Sequence, residues 1–333
     1  MRQLLMMDNN TEDDVLSDNC TAVNPAVYTM YASVMIIEFI LAVPLNLSVL
    51  YLFIFKLQFW KPNSNNLFLF NLVLADLLLL VCLPVNAYNY IWGERYSSEK
   101  LVCKTMFFML FLNRGASIAF LTVIAVDRYF NVVHPGKKNV VIRRSPQISV
   151  LIWVVLLPLT LPTMLKTDCC NSHGDATDIL REIVFFTQIL IPFFVLVYCT
   201  VPIVNRLKKQ TIGDTTKLRR AVFLVTLVML VFSFCFLPCT LARMVLLIVR
   251  KLNQENAKDI WVQVYDGLIV LSYMDCLIDP YVYCLSSSKF KSLYLSTFCP
   301  CLAGTDEETT DNTNSTDNPG NAKRKNNPMY YSR

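Results

Sequence analysis

An arginine in the middle of an apolar stretch is the first group in this chain with the means to do chemistry. Arg114 lies in the run Phe111-Leu112-Asn113-Arg114-Gly115-Ala116-Ser117, inside an apolar segment from about Val102 to Val133. Read as a helix rising 1.5 Å per residue, the segment places Arg114 ~20 Å from the charged triplet Asp127-Arg128-Tyr129 at its end. If the segment crosses a bilayer, that depth is well inside a ~30 Å hydrocarbon layer, where a lone arginine costs at least ~2.5 kcal/mol. The guanidinium must then face a bundle interior or a wet cavity, and its chemistry there is to hold an anion. Asp76, Asn113, Ser117, Asp275 and Asp279 form a second constellation, with three carboxylates in apolar surroundings. Asp275 and Asp279 are four residues apart and share a helix face. Such carboxylates bind a cation, take up protons or pair, and a water-filled hydrogen-bond network is the plainer alternative.

These groups need a membrane bundle to position them. Of 333 residues, 54% are hydrophobic and 17% charged, where a soluble domain would carry about 25% charged residues. Seven apolar blocks fall at roughly 30–55, 67–90, 102–130, 148–165, 183–204, 222–249 and 260–285, each near or above the ~20 residues that span a bilayer as a helix. β-barrel alternation is absent, so the spans are helices with internally satisfied backbones. The predicted architecture is an all-α membrane protein, a seven-transmembrane helix bundle over 30–288. An N-terminal tail (1–29) precedes it, and a short amphipathic helix (289–301) and a disordered polar tail (302–333) follow. Prolines 84, 158, 192, 238 and 280 interrupt their spans, as lipid permits when neighbours take up the freed carbonyls.

Charge sets the orientation. Lys56 and Lys61, then Lys137, Lys138, Arg143 and Arg144, then Arg206, Lys208, Lys209, Lys217, Arg219 and Arg220 fall on one side. The N-terminal tail carries Asp8, Glu12, Asp13, Asp14 and Asp18. The positive-inside rule puts the N-terminus outside the cell and the C-terminus in the cytosol. The first 29 residues lack an apolar core, so the first span is expected to serve as the targeting signal. Basic loops that flank spans without interleaved aromatics do not suit nucleic acid. Sequons at Asn9 and Asn19 fall in the outside tail and are expected to be glycosylated. Cys20, Cys103, Cys169 and Cys170 lie on the oxidising side and allow three pairings. Cys299 and Cys301 follow the amphipathic stretch, a setting for palmitoylation.

Arg243 lies five residues beyond Pro238, about 7.5 Å toward the outside, and Tyr273 about 9 Å outward of Asp279. Two guanidiniums and a phenol near one cavity favour a carboxylate, which arginine binds through bidentate, charge-assisted bonds. No HExxH, GxSxG or paired catalytic carboxylates point to an enzyme. A transporter of organic anions would also place arginine and carboxylates at mid-membrane, but the seven spans show no internal repeat.

The chain resembles rhodopsin-like (class A) G-protein-coupled receptors over nearly its whole length. The signatures stand in order on the spans: Asn46, then Leu74-Ala75-Asp76, Cys103, Asp127-Arg128-Tyr129, Trp153, Pro192 with Tyr198, Cys235-Phe236-Leu237-Pro238, and Asp279-Pro280-Tyr281-Val282-Tyr283. At 100° per residue Arg114 falls within about 20° of Cys103 and Leu121, and about 40° from Arg128, so one face of the third helix links all of them. Within the class the chain is similar to the hydroxycarboxylic acid and oxo-eicosanoid receptors, through Trp60-Lys61-Pro62, Leu69-Phe70-Asn71-Leu72, Leu112-Asn113-Arg114 and Val132-Val133-His134-Pro135.

The resemblance implies that Arg114 anchors a ligand carboxylate, with Arg243 and Tyr273 lining the same pocket. It implies coupling to inhibitory Gi/o proteins that lower cAMP, arrestin as a further partner, and residence in the plasma membrane. Asp127, Arg128, Tyr129, Tyr198 and Tyr283 would form the G-protein switch, and Phe236 and Pro238 the hinge. Asp76, Asn113, Ser117, Asp275 and Asp279 would be an allosteric sodium site, with no other cofactor. Cys103 would pair with Cys169 or Cys170, and Cys20 with the other. The position at the foot of the sixth span where such receptors carry a locking acid falls at Leu218, beside Arg219 and Arg220, which predicts a weak resting lock and some basal signalling. An oxidised fatty acid, or a nucleotide or lysolipid using the arginines for phosphate, are the competing ligands.

Overall fold

The computed structural model describes residues 20–57, 66–134, 140–166, 176–209, 215–286 and 288–298. Asn9, Asn19, Cys169, Cys170, Cys299, Cys301 and the tail 302–333 lie outside these residues. A single helical turn at Val140–Arg143 and eight longer helices make up the described fold. They are α1 (Pro25–Tyr51, continued by a π turn Leu52–Leu57), α2 (Asn66–Ile91), α3 (Lys100–Val133), α4 (Ser145–Lys166) and α5 (Ala176–Lys209). α6 comprises Thr215–Val231, a π turn Phe232–Phe236 and Leu237–Lys251; α7 comprises Glu255–Ser272 and Asp275–Ser286; α8 is Ser288–Phe298. Six of them are long and apolar enough to cross a membrane, and the apolar part of α4, Ser145–Leu161, is shorter.

α3 is the axis. Every residue from Leu112 to Ile118 is buried, which an amphipathic surface helix would not allow. It packs against α2, α4, α5 and α6. Gly115 permits this: a Cβ there would meet Leu156 Cδ2 of α4 at 2.9 Å and Gln188 Nε2 of α5 at 3.4 Å. Polar ties fix the remaining register. Trp153 Nε1 donates to Asn71 Oδ1 at 2.8 Å, joining α4 to α2, and Asn46 Nδ2 donates to Cys276 O at 3.0 Å, joining α1 to α7. The amphipathic character expected after the last span is realised in α8. Phe290 is fully buried against Phe53 and Tyr283, while Lys289 and Lys291 are exposed.

Besides the π turn that ends α1, two spans depart from continuous α-helix. Pro238 offers no N–H, and the turn before it widens so that Leu237 N donates to Phe232 O, five residues back. α7 breaks at Tyr273–Met274, where no proline stands. There Ser272 Oγ donates to Ile269 O at 2.6 Å and Asp275 Oδ1 accepts Cys276 N at 2.8 Å. Side chains thus compete with the ladder for its partners. The break turns Tyr273 inward above Asp275.

Candidate ligand site

The upper end of the bundle is the one bearing Cys20 and Cys103. A cavity of about 150 Å³ opens there among α2, α3, α5, α6, α7 and the loop after α2, far above the ~10–15 Å³ that admits a single water. Arg114 and Tyr273 form its floor, both 4% exposed. Arg114 Nη2 donates to Cys239 Sγ at 3.2 Å and to Ser272 Oγ at 3.3 Å. The guanidinium lies 5.3 Å from the Phe185 ring and 5.9 Å from Phe236. Every one of these partners is neutral, and among the described residues Arg114 makes no ion pair. A buried guanidinium held only by neutral groups carries an unbalanced charge, the condition an incoming anion relieves.

Arg243 also lines the cavity, but Glu182 of α5 holds it. Arg243 Nε donates to Glu182 Oε2 at 3.1 Å, Nη2 donates to Oε1, and the guanidinium covers Tyr265 at 5.3 Å. Sequence reasoning overlooked Glu182, because an acid at the end of a span reads as an ordinary rim charge. It also overlooked the pair that closes the side of the cavity. Arg95 Nε and Nη2 donate to the two oxygens of Asp266 at 2.8 and 3.2 Å, and Tyr28 adds a bond to Asp266 Oδ2 at 2.7 Å. The chain before α1 is stitched to the same loop by Ala22 N to Gly93 O at 2.7 Å and Arg95 N to Cys20 O at 2.8 Å. Gly93 makes this possible at φ +74, where an L side chain would be strained. Cys20 and Cys103 are both disulfide-bonded.

Below the floor lie the carboxylates. Asp76, Asp275 and Asp279 have no exposure at all. Asp76 accepts Tyr283 Oη at 3.3 Å and Cys276 Sγ at 3.6 Å. Asn113 donates to Ala75 O at 2.9 Å, while Ser117 Oγ, Asp275 Oδ2 and both Asp279 oxygens are buried without a partner. Glu38 of α1, 4% exposed and with both oxygens unpartnered, belongs to the same buried acids. No group of three or more His, Cys, Asp or Glu among the described residues is arranged to hold one metal ion.

At the lower end Asp127 Oδ2 lies 3.7 Å from Arg128 Nε and also accepts Asn131 Nδ2 at 3.2 Å. Tyr129 and Tyr198 rings stand 5.8 Å apart, with Tyr198 66% exposed on the outer face of α5. Tyr283, by contrast, is fully buried against Phe53. Of the expected switch residues, the structure brings together Asp127 with Arg128 and Tyr129 with Tyr198. Tyr283 sits with Asp76 instead.

Residues 45–283 match the family described as 7 transmembrane receptor (rhodopsin family). The chain is 33% identical to the 12-(S)-hydroxy-5,8,10,14-eicosatetraenoic acid receptor of Mus musculus, over 83% of this chain and 91% of that protein. It is 34% identical to Hydroxycarboxylic acid receptor 2 of Rattus norvegicus, over 80% of this chain and 77% of that one. It is 29% identical to Oxoeicosanoid receptor 1 of Homo sapiens, over 79% and 71%.

Proposed function

The chain belongs to the rhodopsin family of seven-transmembrane receptors, and from that premise we propose that it recognises an organic carboxylic acid through Arg114. As a member it is a multi-pass receptor of the plasma membrane, with a small-molecule ligand and a G protein as partners. The reading is carried by one observation: a guanidinium, 4% exposed on the floor of an open cavity, with neutral partners only. A carboxylate seated there gains bidentate bonds to a cation already stripped of water, and Tyr273 beside it offers a further hydroxyl. The Mus musculus, Rattus norvegicus and Homo sapiens relatives, whose names specify hydroxy and oxo acids, support the same ligand class.

Coupling runs through Gi/o, so the acid lowers cAMP, and the N-terminus faces the outside. Asp76, Asn113, Ser117, Asp275 and Asp279 would hold an allosteric sodium ion; the unpartnered buried oxygens of Ser117 and Asp279 support an occupant. Replacing sodium with a large organic cation should change agonist affinity, and an unchanged affinity would remove the ion. The main test uses cells expressing the receptor, a panel of carboxylic acids and a cAMP readout, with surface expression matched between variants. Arg114→Ala should reduce potency by roughly 10–100-fold, the loss of a charged hydrogen-bonded pair. A response that survives the substitution takes Arg114 out of the ligand site.

A second reading, an oxidised fatty acid, draws on the wall above Arg114. Met106, Phe107, Leu110 and Phe111 of α3 form an apolar strip along the cavity, suited to a hydrocarbon chain. Potency that rises with chain length favours it over a short hydroxy acid.

A further inference from the structure

The cavity carries more positive charge than its own acids balance. Five arginines line it, Arg95, Arg114, Arg181, Arg243 and Arg250, against Glu182 and Asp266. Asp266 is committed to Arg95, and Glu182 to Arg243 with Arg181 3.7 Å away. Two guanidiniums then stand without a carboxylate in ion-pair range among the described residues: Arg114 on the floor and Arg250 near the rim. Arg250 Nε is buried and has no hydrogen-bond partner.

Their separation follows from α6. Arg114 Nη2 touches Cys239 Sγ at 3.2 Å. Arg250 is eleven residues further along, about 16 Å up the axis and within about 20° of the same face. Between the two levels the wall is Phe107, Leu110 and Phe111 of α3 and Ile269 of α7. Arg243, one turn above Cys239, is already neutralised by Glu182. The cavity therefore has a guanidinium without an ion pair among the described residues at each end, an apolar wall along one side, and Arg243 and Arg181 sharing Glu182 between them. A short monoacid on Arg114 would leave the charge of Arg250 unmet, and an acidic group placed midway would meet Glu182.

We propose that Arg250 forms a second anion subsite and that the preferred ligand is an elongated diacid, one carboxylate on Arg114 and a second acidic group on Arg250, joined by an apolar chain. This inference deepens the proposed carboxylate function and rests on it. The ligand class it names is the medium-chain α,ω-dicarboxylates.

The test compares monocarboxylates with the matching α,ω-dicarboxylates, from butanoate and butanedioate to hexadecanoate and hexadecanedioate, on the full-length receptor by cAMP suppression. Short diacids should show no advantage. Near the optimum length the diacid should exceed its monoacid by about tenfold or more, the scale of one charge-assisted pair. Arg250→Gln should erase that advantage and leave monoacid potency within about threefold. If Arg250→Gln fails to reach the cell surface, Arg250→Lys replaces it, and the loss of bidentate geometry should cut the advantage severalfold. Diacids no better than monoacids at any length, or an advantage that survives at Arg250 variants, overturn the second subsite alone. Silence toward every acid overturns the carboxylate reading and this one together.

Discussion

Glu182 of α5 grips Arg243 of α6 with both carboxylate oxygens, one helical turn above the Cys239 that Arg114 touches. The pair decides what Arg243 can do for an acid. If Arg243 chiefly cancels Glu182, then Arg243→Ala exposes a carboxylate to the ligand and weakens acid potency by roughly tenfold. Adding Glu182→Gln in the same chain should restore potency to near the parent value. If Arg243 binds the ligand directly, removing Glu182 cannot compensate. Dose–response curves for the two single variants and the double variant separate the two cases.

Arg95 and Asp266 make a tighter commitment. Asp266 is 2% exposed and accepts from Arg95 and Tyr28. Arg95→Leu strands that carboxylate and should destabilise the receptor by about 3–5 kcal/mol, whereas Arg95→Leu with Asp266→Leu should recover most of the loss. The midpoint of thermal inactivation in detergent measures both. Equal damage from the single and double variants would contradict a stranded charge.

Gly267 marks the close approach of α7 to α1. A Cβ there would lie 2.5 Å from Tyr31 Oη and 2.7 Å from Tyr31 Cζ. Gly267→Ala should cost about 1–3 kcal/mol through overpacking. Tyr31→Ala in the same chain should return part of that stability, at the expense of the Tyr31 bond to Gln263 O.

At the other end, Asp127→Asn removes the carboxylate 3.7 Å from Arg128. A loss of about 1 kcal/mol from the resting form raises the population of its alternative roughly fivefold. Ligand-free suppression of cAMP, normalised to surface expression, should rise accordingly. No rise would show that this pair does not hold the resting state.

The legibility of the chain tracked the strength of each physical constraint. Arg114 was readable because depth in hydrocarbon leaves a guanidinium few choices, and helical phase then placed it with Cys103 and Arg128. The same depth argument applies to Glu38 in Met35-Ile36-Ile37-Glu38-Phe39, yet a lone acid on the first span carries no motif to draw attention. Glu182, Arg250 and Asp266 sit near span ends, where a charge is cheap and sequence gives no hint of its partner; only the helix packing brings them to one cavity. Pro238 announced an irregularity in α6. The break in α7 came without warning, since Ser272, Tyr273 and Met274 include neither glycine nor proline and the cause lies in local side-chain bonds.

The Tyr28–Asp266–Arg95 cluster also has a schedule. Tyr28 and its acceptor are 238 positions apart, and Arg95 and the same acceptor 171. At roughly 5–20 residues per second a ribosome makes Asp266 some tens of seconds after Tyr28. Through that interval Arg95 has no Asp266 to neutralise it, and the first and last helices of the bundle have no shared latch. The upper side of the cavity can close only when the seventh helix arrives. A chain arrested before that point would also lack Ile269 and Tyr273 and would present an open flank, a form that quality control can tell from the finished receptor.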